Sequence, residues 1–437
     1  MTVALVDTEA RVFEELEPPL SGQEAIIEAD RCLECGGAHA PAPCSAACPA
    51  GIDVPAFVTA VADGDDARAA EVIFAENLLG GTCARVCPTE LLCEGACVLL
   101  HEGRPPIEIG RLQRHASDAA LERSLPLRSR EAPSGFRVAV IGAGPAGLAC
   151  AGELAARGHE VTVYDERPEP GGLVRYAIAP YRQHTRPLPE ETALVVSLGA
   201  RLVLGRRIDR AMLHAIVGMN DAVVLAVGMG SDATPHVPGE DLDGVWRSLQ
   251  FVEALKTGRP PRVGRVVAVI GGGNTAIDVA VEAVRLGADE VRMLYRRTEA
   301  EMPAYPAEVE LAREEGVTFE WLTAPTRFLG RHRLEGVECV RMRLEQPDAS
   351  GRARPVPVPG SEHVVAAETA IVAIGQDRRP EFADLIDRAD PATGRTPTPK
   401  LYAAGDAVNG GATVVEAVRE AKLAARSVDE DLRRSPA

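Results

Sequence analysis

Lysine is almost missing from this sequence: three occur in 437 residues, Lys256, Lys400 and Lys422, so nearly every positive charge is an arginine. Positive charge is short altogether, with a formal net charge of −17 and an isoelectric point near 5.1. That sign opposes a polyphosphate backbone and excludes nucleic acid as a partner. No apolar run reaches the ~18 residues that suggest a membrane helix. The opening MTVALVDTEARVFEELEPPL has neither the basic n-region nor the apolar h-region of a secretory signal, so a cytoplasmic protein without a membrane partner is expected. Solenoid repeats and low-complexity tracts are also missing.

Cysteine is abundant and unevenly placed. Eight of the ten lie between Cys32 and Cys97; Cys150 and Cys339 stand alone in a helix and a strand pattern, where a small buried apolar role is expected. Neither forms a Cys-x-x-Cys, which excludes a thioredoxin-reductase-type redox disulfide. In a reducing compartment, crowding of the other eight points to metal rather than disulfides. They read Cys32-x2-Cys35-x8-Cys44-x3-Cys48-Pro49 and Cys83-x3-Cys87-Pro88-x4-Cys93-x3-Cys97. The x3 gaps and the Cys-Pro pairs match the way bacterial ferredoxins hold paired [4Fe–4S] centres. Structural zinc, four thiolates to each ion, is the alternative, and it would make this region a zinc-stabilised scaffold without redox traffic. The cysteines sit among helical patterns; Ser21-Gly-Gln-Glu24 is a capping box opening a helix that runs toward Cys32.

From Phe136 the texture becomes apolar strand, glycine turn, apolar helix, in RVAVIGAGPAGLACAGELAARGHEVTVYD, and it recurs from Arg265 in RVVAVIGGGNTAIDVAVEAVRLGADEVRMLYRR. Two such βαβ units predict two dinucleotide-binding domains. In the first, Gly142, Gly144 and Gly147, with Pro145 and Ala146 between, let the backbone approach a pyrophosphate at a helix N-terminus, and Asp165 ends the second strand where an acid binds ribose hydroxyls. In the second, Gly271, Gly272, Gly273, Asn274, Thr275 and Ala276 form the turn, and Arg296 and Arg297 stand where an NAD site would place the acid. A guanidinium fork there favours the 2′-phosphate of NADPH over NADH; a surface arginine pair is the plainer alternative. AVVLAVG (222–228) and TAIVAIG (369–375), the latter ending in Gly375, are expected as closing strands of the two domains.

The segment GGTCARVCPTELLCEGACVLLHEGRPPIEIGRLQRHA (80–116) resembles the N-terminal cluster domain of dihydropyrimidine dehydrogenase, and the whole chain resembles the glutamate synthase small subunit family. The resemblance implies interleaved ligands: one [4Fe–4S] cluster on Cys32, Cys35, Cys44 and Cys97, a second on Cys48, Cys87, Cys93 and Gln113, with Cys83 a bystander. The gap from Cys35 to Cys44 is longer than in that family. The residues alone would leave Gln113 a polar residue on a solvated helix face. The resemblance further implies FAD in the first dinucleotide site, completed by Gly172 and Leu173 and by Gly405, Asp406, Thr413 and Val414 in the tail, with the helix opening near Thr413 aimed at the flavin ring. The YRR-x4-MPA signature of the family stands at 295–304.

The expected fold is α/β: two Rossmann-like dinucleotide-binding domains preceded by an α-helical domain holding two [4Fe–4S] clusters. Its expected domains are 1–130 (iron–sulfur), 131–244 and 375–437 (FAD), and 245–374 (NAD(P)H). The expected function is an electron-input subunit, NADPH to FAD to clusters to a partner. That partner is a second subunit carrying the acceptor site, an FMN or iron–sulfur enzyme of the dihydropyrimidine dehydrogenase or glutamate synthase type, or else a ferredoxin, as for the large subunit of a ferredoxin-linked transhydrogenase. Hydride transfer to a flavin needs stacking and alignment but no protein acid or base, so no catalytic residue is expected.

Overall fold

The computed structural model describes residues 12–37, 39–347 and 351–434. It divides into two compact units: a larger one of 16–175, 185–229 and 378–437, and a smaller one of 176–184 and 230–377 with the described residues up to Glu15.

The larger unit opens with helices α1 (Gly22–Ala29), α2 (Pro43–Ala47), α3 (Val54–Ala62), α4 (Asp66–Glu76), α5 (Gly80–Val86) and α6 (Ile109–Glu122). Local chemistry sets their starts. The expected capping box is formed, Ser21 N donating to the Glu24 carboxylate at 2.8 Å and Glu24 N to Ser21 Oγ at 3.4 Å. Asp53 and Asp65 cap α3 and α4 with their side chains alone, accepting from Ala56 N and Arg68 N. Next come β1 (Arg137–Ile141), α7 (Pro145–Ala156), β2 (Glu160–Tyr164), α8 (Leu188–Ser197), β3 (Arg201–Val203) and β4 (Ala222–Leu225).

The smaller unit carries β5 (Val245–Arg247), β6 (Val266–Gly271), α9 (Asn274–Arg285), β7 (Glu290–Tyr295), α10 (Pro306–Glu314) and β8 (Thr318–Trp321). It continues with β9 (Thr323–Gly330), β10 (Leu334–Pro347), β11 (Ala353–Pro357), β12 (His363–Ala366) and β13 (Thr369–Ala373). Its parallel sheet has the order β5-β13-β6-β7-β8, and a separate antiparallel sheet sets β11 and β12 against β10, which β9 also pairs. The segment 176–184 belongs to this unit because Tyr181 is fully buried in it. Its hydroxyl donates to Asp278 of α9 at 2.8 Å, and the Arg285 guanidinium lies 4.7 Å over its ring.

The chain then returns to the larger unit with β14 (Leu401–Ala403) and the long helix α11 (Val414–Arg434), completing a parallel sheet of order β14-β4-β1-β2-β3. The two runs expected as closing strands lie inside their sheets: β4 pairs β1 and β14, and β13 pairs β5 and β6. Continuous apolar sequence is what a strand covered on both faces needs, so the run marks an inner strand. Cys150 and Cys339 are fully buried, as expected. Among the described residues no helix is long and apolar enough to cross a membrane.

Helix α5 has no side-chain cap of its own. Glu191 of α8 supplies the acceptor, taking hydrogen bonds from Thr82 N at 2.9 Å and Thr82 Oγ1 at 2.5 Å. Burial pushes the Glu191 carboxyl up from 4.5 to about 7, against the pull of those bonds. A carboxyl whose folded value is raised contributes its stability below the unfolded value and loses it as pH rises through the folded one. At ~1.4 kcal/mol per unit, the native state gives up roughly 3 kcal/mol between about pH 4.5 and pH 7. We expect Glu191→Gln to gain stability relative to wild type as pH rises from 5 to 8. Parallel Tm-against-pH curves for the two proteins would contradict this.

Candidate dinucleotide and iron–sulfur sites

The first glycine turn joins β1 to α7. Gly142 has φ +108°, and a Cβ there would lie 2.2 Å from the Ala226 carbonyl; at Gly147 it would lie 1.8 Å from the Gly142 carbonyl. Only glycine fits either position. Gly144 and Gly172 meet backbone to backbone, a Cβ on Gly172 falling 2.8 Å from the Gly144 Cα, and one on Gly405 would fall 2.6 Å from the Ala146 Cβ. Four separate stretches of sequence thus pack into one cradle. Helix α7 has Pro145 at its first position and no side-chain cap, which leaves its leading N–H groups for an anion. Asp165 at the end of β2 accepts from Ala143 N at 2.6 Å and Arg167 N at 2.7 Å, holding two loops of the cradle together. Leu173 follows Gly172 into a one-turn helix.

The tail contributes its residues to the same unit. Asp406 accepts from Ala412 N at 3.3 Å, and burial pushes its carboxyl up to about 6. Thr413 precedes Val414 at the start of α11, and here sequence reading missed a partner. Glu416 closes a capping box, accepting from Thr413 N at 3.1 Å and Thr413 Oγ1 at 2.9 Å. Its carboxylate meets the positive end of the helix dipole, a role that Thr-x-x-Glu at 413–416 signals in the sequence.

The second turn joins β6 to α9. A Cβ on Gly271 would fall 2.1 Å from the Ala373 carbonyl, and on Gly272 it would enter the Tyr295 ring. Gly273 leads into α9 without a side-chain cap, and Ala276 is fully buried. The loop that follows β7 folds back over this turn: Ala304 N donates to the Gly272 carbonyl at 3.1 Å, and Tyr305 N to Asn274 Oδ1 at 2.9 Å. Thr275 lies in the first turn of α9, and Gly375, at φ +112°, follows β13. The arginine pair is split. Arg296 is exposed at the end of β7, whereas Arg297 is buried with its Nε donating to the Ala353 carbonyl of β11 at 2.8 Å.

Cys32, Cys35, Cys44 and Cys97 line a single cavity, with Pro43 and Leu99 among its apolar walls. These are the four thiols grouped as one ligand set. Burial pushes Cys32 up and Cys44 up to about 11. Cys87 lies beside Cys83, Cys93 and Cys48: contact with the Cys83 thiol, burial, and then repulsion by those neighbours raise its thiol far above the usual range. Thiols that repel one another this way ionise only when a cation neutralises them. Among the described residues no three Cys, His, Asp or Glu side chains are placed to hold a lone metal ion, which disfavours a mononuclear zinc site. Burial also raises Cys48, opposed by the N–H groups of Ile52, Ala50 and Gly51 that face its sulfur. Gln113, on α6, is buried rather than solvated, and its Nε2 donates to the Gly80 carbonyl at 2.6 Å.

Residues 9–125 match the family model of dihydropyrimidine dehydrogenase domain II with its 4Fe–4S cluster, and residues 136–421 match that of pyridine nucleotide-disulphide oxidoreductases. The glutamate synthase [NADPH] small chain of Halomonas elongata is 35% identical over 96% of this chain and 93% of its own length. This chain belongs to the glutamate synthase small-chain family. The beta subunit of the NADP(+)-dependent formate dehydrogenase of Moorella thermoacetica is 37% identical over 90% of this chain, which spans 60% of that subunit. Among solved structures, Mycobacterium tuberculosis FprA in complex with NADPH shares the fold, with a TM-score of 0.59 over 68% of this chain and 84% of its own at 21% identity.

As a member of the small-chain family, the protein is an NADPH-dependent flavin and iron–sulfur oxidoreductase. The residues present fit those groups. A cradle that a single Cβ would fill accepts a dinucleotide backbone, and thiols ringing a cavity accept an iron–sulfur cluster.

Proposed function

We propose that this protein is an electron-input subunit: it oxidises NADPH and delivers single electrons, through two [4Fe–4S] clusters, to an acceptor site on a partner subunit. FAD, when bound, supplies the conversion between a two-electron hydride and single electrons. The chain's own residues bind and orient. Gly142, Gly144 and Gly147, with Gly172 and Gly405, admit the FAD pyrophosphate and ribityl chain, and Asp165 faces the ribose. The second glycine turn takes NADPH, and Arg296 grips the 2′-phosphate. No side chain needs to move a proton for hydride transfer, which rests on alignment.

One cluster is held by Cys32, Cys35, Cys44 and Cys97, the other by Cys48, Cys87, Cys93 and Gln113. A second reading replaces Gln113 by Cys83, and the contact between the Cys83 and Cys87 thiols favours it. The observation that carries the function is the presence of both thiol groups in the same compact unit as the first dinucleotide cradle. A cluster domain of this size has no use in hydride uptake, so its electrons travel onward. The partner carries the acceptor chemistry; the relatives named above are likewise a small chain and a beta subunit of larger enzymes. The complex works in the reducing cytoplasm, where thiols persist.

Alone with NADPH, the purified chain should reduce one-electron dyes at roughly 1–1,000 per second. It should leave glutamine plus 2-oxoglutarate, and uracil, untouched until the partner is added. Turnover of either substrate by the isolated chain would overturn the subunit reading.

A further inference from the structure

Lys422 is one of the three lysines of the sequence. It sits on α11, and its Nζ donates to the Ala50 carbonyl at 2.7 Å, to the Glu76 carbonyl at 2.8 Å and to the Glu76 carboxylate at 2.5 Å. All three donors of the ammonium are used. Each acceptor has a reason to want a cation. Glu76 is the last residue of α4, whose terminal carbonyls carry the negative end of the helix dipole. Ala50 lies two residues after Cys48 in the turn closed by Gly51 N donating to the Cys48 carbonyl at 3.0 Å, the same turn whose N–H groups face the Cys48 sulfur.

Helix α11 therefore joins two sites. Its first turn, capped by Thr413, belongs to the dinucleotide cradle, and nine residues on, about 13 Å at 1.5 Å per residue, Lys422 grips the turn that presents Cys48. A helix backbone hardly stretches, so this contact sets the spacing between the flavin side and that turn.

We propose that Lys422 is a positioning residue for electron passage, holding the Cys48 turn at a set distance from the flavin end of α11 and placing a fixed positive charge beside the cluster that Cys48 ligates. The inference rests on the electron-path reading above. The charge favours the reduced, more negative cluster, and its effect is partly offset by Glu76. Lys422 is not among the residues of either dinucleotide site, so uptake of hydride from NADPH does not depend on it.

The test uses the full chain, purified without oxygen with its clusters, in three variants: Lys422→Met, Lys422→Arg and Glu76→Gln. EPR-monitored redox titration reads each cluster's midpoint potential, and stopped-flow absorbance separates flavin reduction from cluster reduction. In Lys422→Met one cluster should become harder to reduce, by about tenfold in its reduction equilibrium (~59 mV for one electron), while the other keeps its potential. Cluster reduction should slow at least tenfold while flavin reduction by NADPH keeps its wild-type rate. Lys422→Arg should restore both, and Glu76→Gln should shift the same cluster in the opposite direction. Lower thermal stability with both potentials and both rates unchanged in Lys422→Met and Glu76→Gln would reduce the lysine to a structural tie and overturn the inference. A wild-type protein whose clusters stay oxidised under NADPH would instead overturn the electron-path reading, and this inference with it.

Discussion

Arg296→Ala is expected to lower kcat/KM for NADPH roughly 10- to 100-fold and to leave NADH almost unchanged. A hydrogen-bonded charge contact contributes ~1.5–3 kcal/mol, and about 1.4 kcal/mol is a factor of ten. Only NADPH carries the 2′-phosphate that Arg296 is proposed to grip, so the loss appears in the ratio of the two cofactors. Arg297→Met should behave differently. Its guanidinium is buried against the Ala353 carbonyl, so its removal should lower Tm and leave the NADPH-to-NADH ratio intact. Steady-state kinetics with both cofactors, paired with thermal melts, tests the split. Equal losses for NADPH and NADH in Arg296→Ala would show that the exposed arginine does not read the phosphate.

Iron content carries the second large effect. The anaerobically purified chain should hold about eight iron and eight sulfide per FAD, four of each per cluster. Cys44→Ser should lose about half of the iron, because Cys44 serves one cavity only. At the other site the variants discriminate between ligands: Gln113→Ala should cost iron and alter one cluster's EPR signal while Cys83→Ser leaves both clusters intact. The reverse pattern would give the fourth position to Cys83. Stoichiometric zinc with negligible iron would remove the clusters altogether.

Local patterns carried much of this structure. Strand, glycine turn and helix can be read at 137–165 and 265–297 because the backbone of a tight turn tolerates no side chain, and that demand shows as glycine at fixed spacing. The capping box at Ser21 is equally local. The interleaving of Cys97 with Cys32, Cys35 and Cys44 came from family resemblance, since spacing along the chain cannot say which thiols converge across some sixty residues. Features made by distant partners were not legible. Glu191 caps a helix 109 residues away and Lys422 reaches Ala50 across 372. Arg297 looked like the equal of Arg296 until β11, part of an antiparallel sheet that no periodicity announced, supplied its acceptor. Tyr181 lies in a stretch read as flavin domain, yet its burial against α9 places it in the other unit.

The most direct test of the central claim adds a slight excess of NADPH to the purified, oxygen-free chain and follows flavin absorbance and low-temperature EPR in the same sample. Flavin bleaching should be accompanied by signals of reduced [4Fe–4S] clusters that grow as NADPH is supplied and vanish when a one-electron dye is added. Full flavin bleaching with no cluster signal, and dye reduction undiminished after the cluster iron is removed, would contradict an electron path through the cysteine domain.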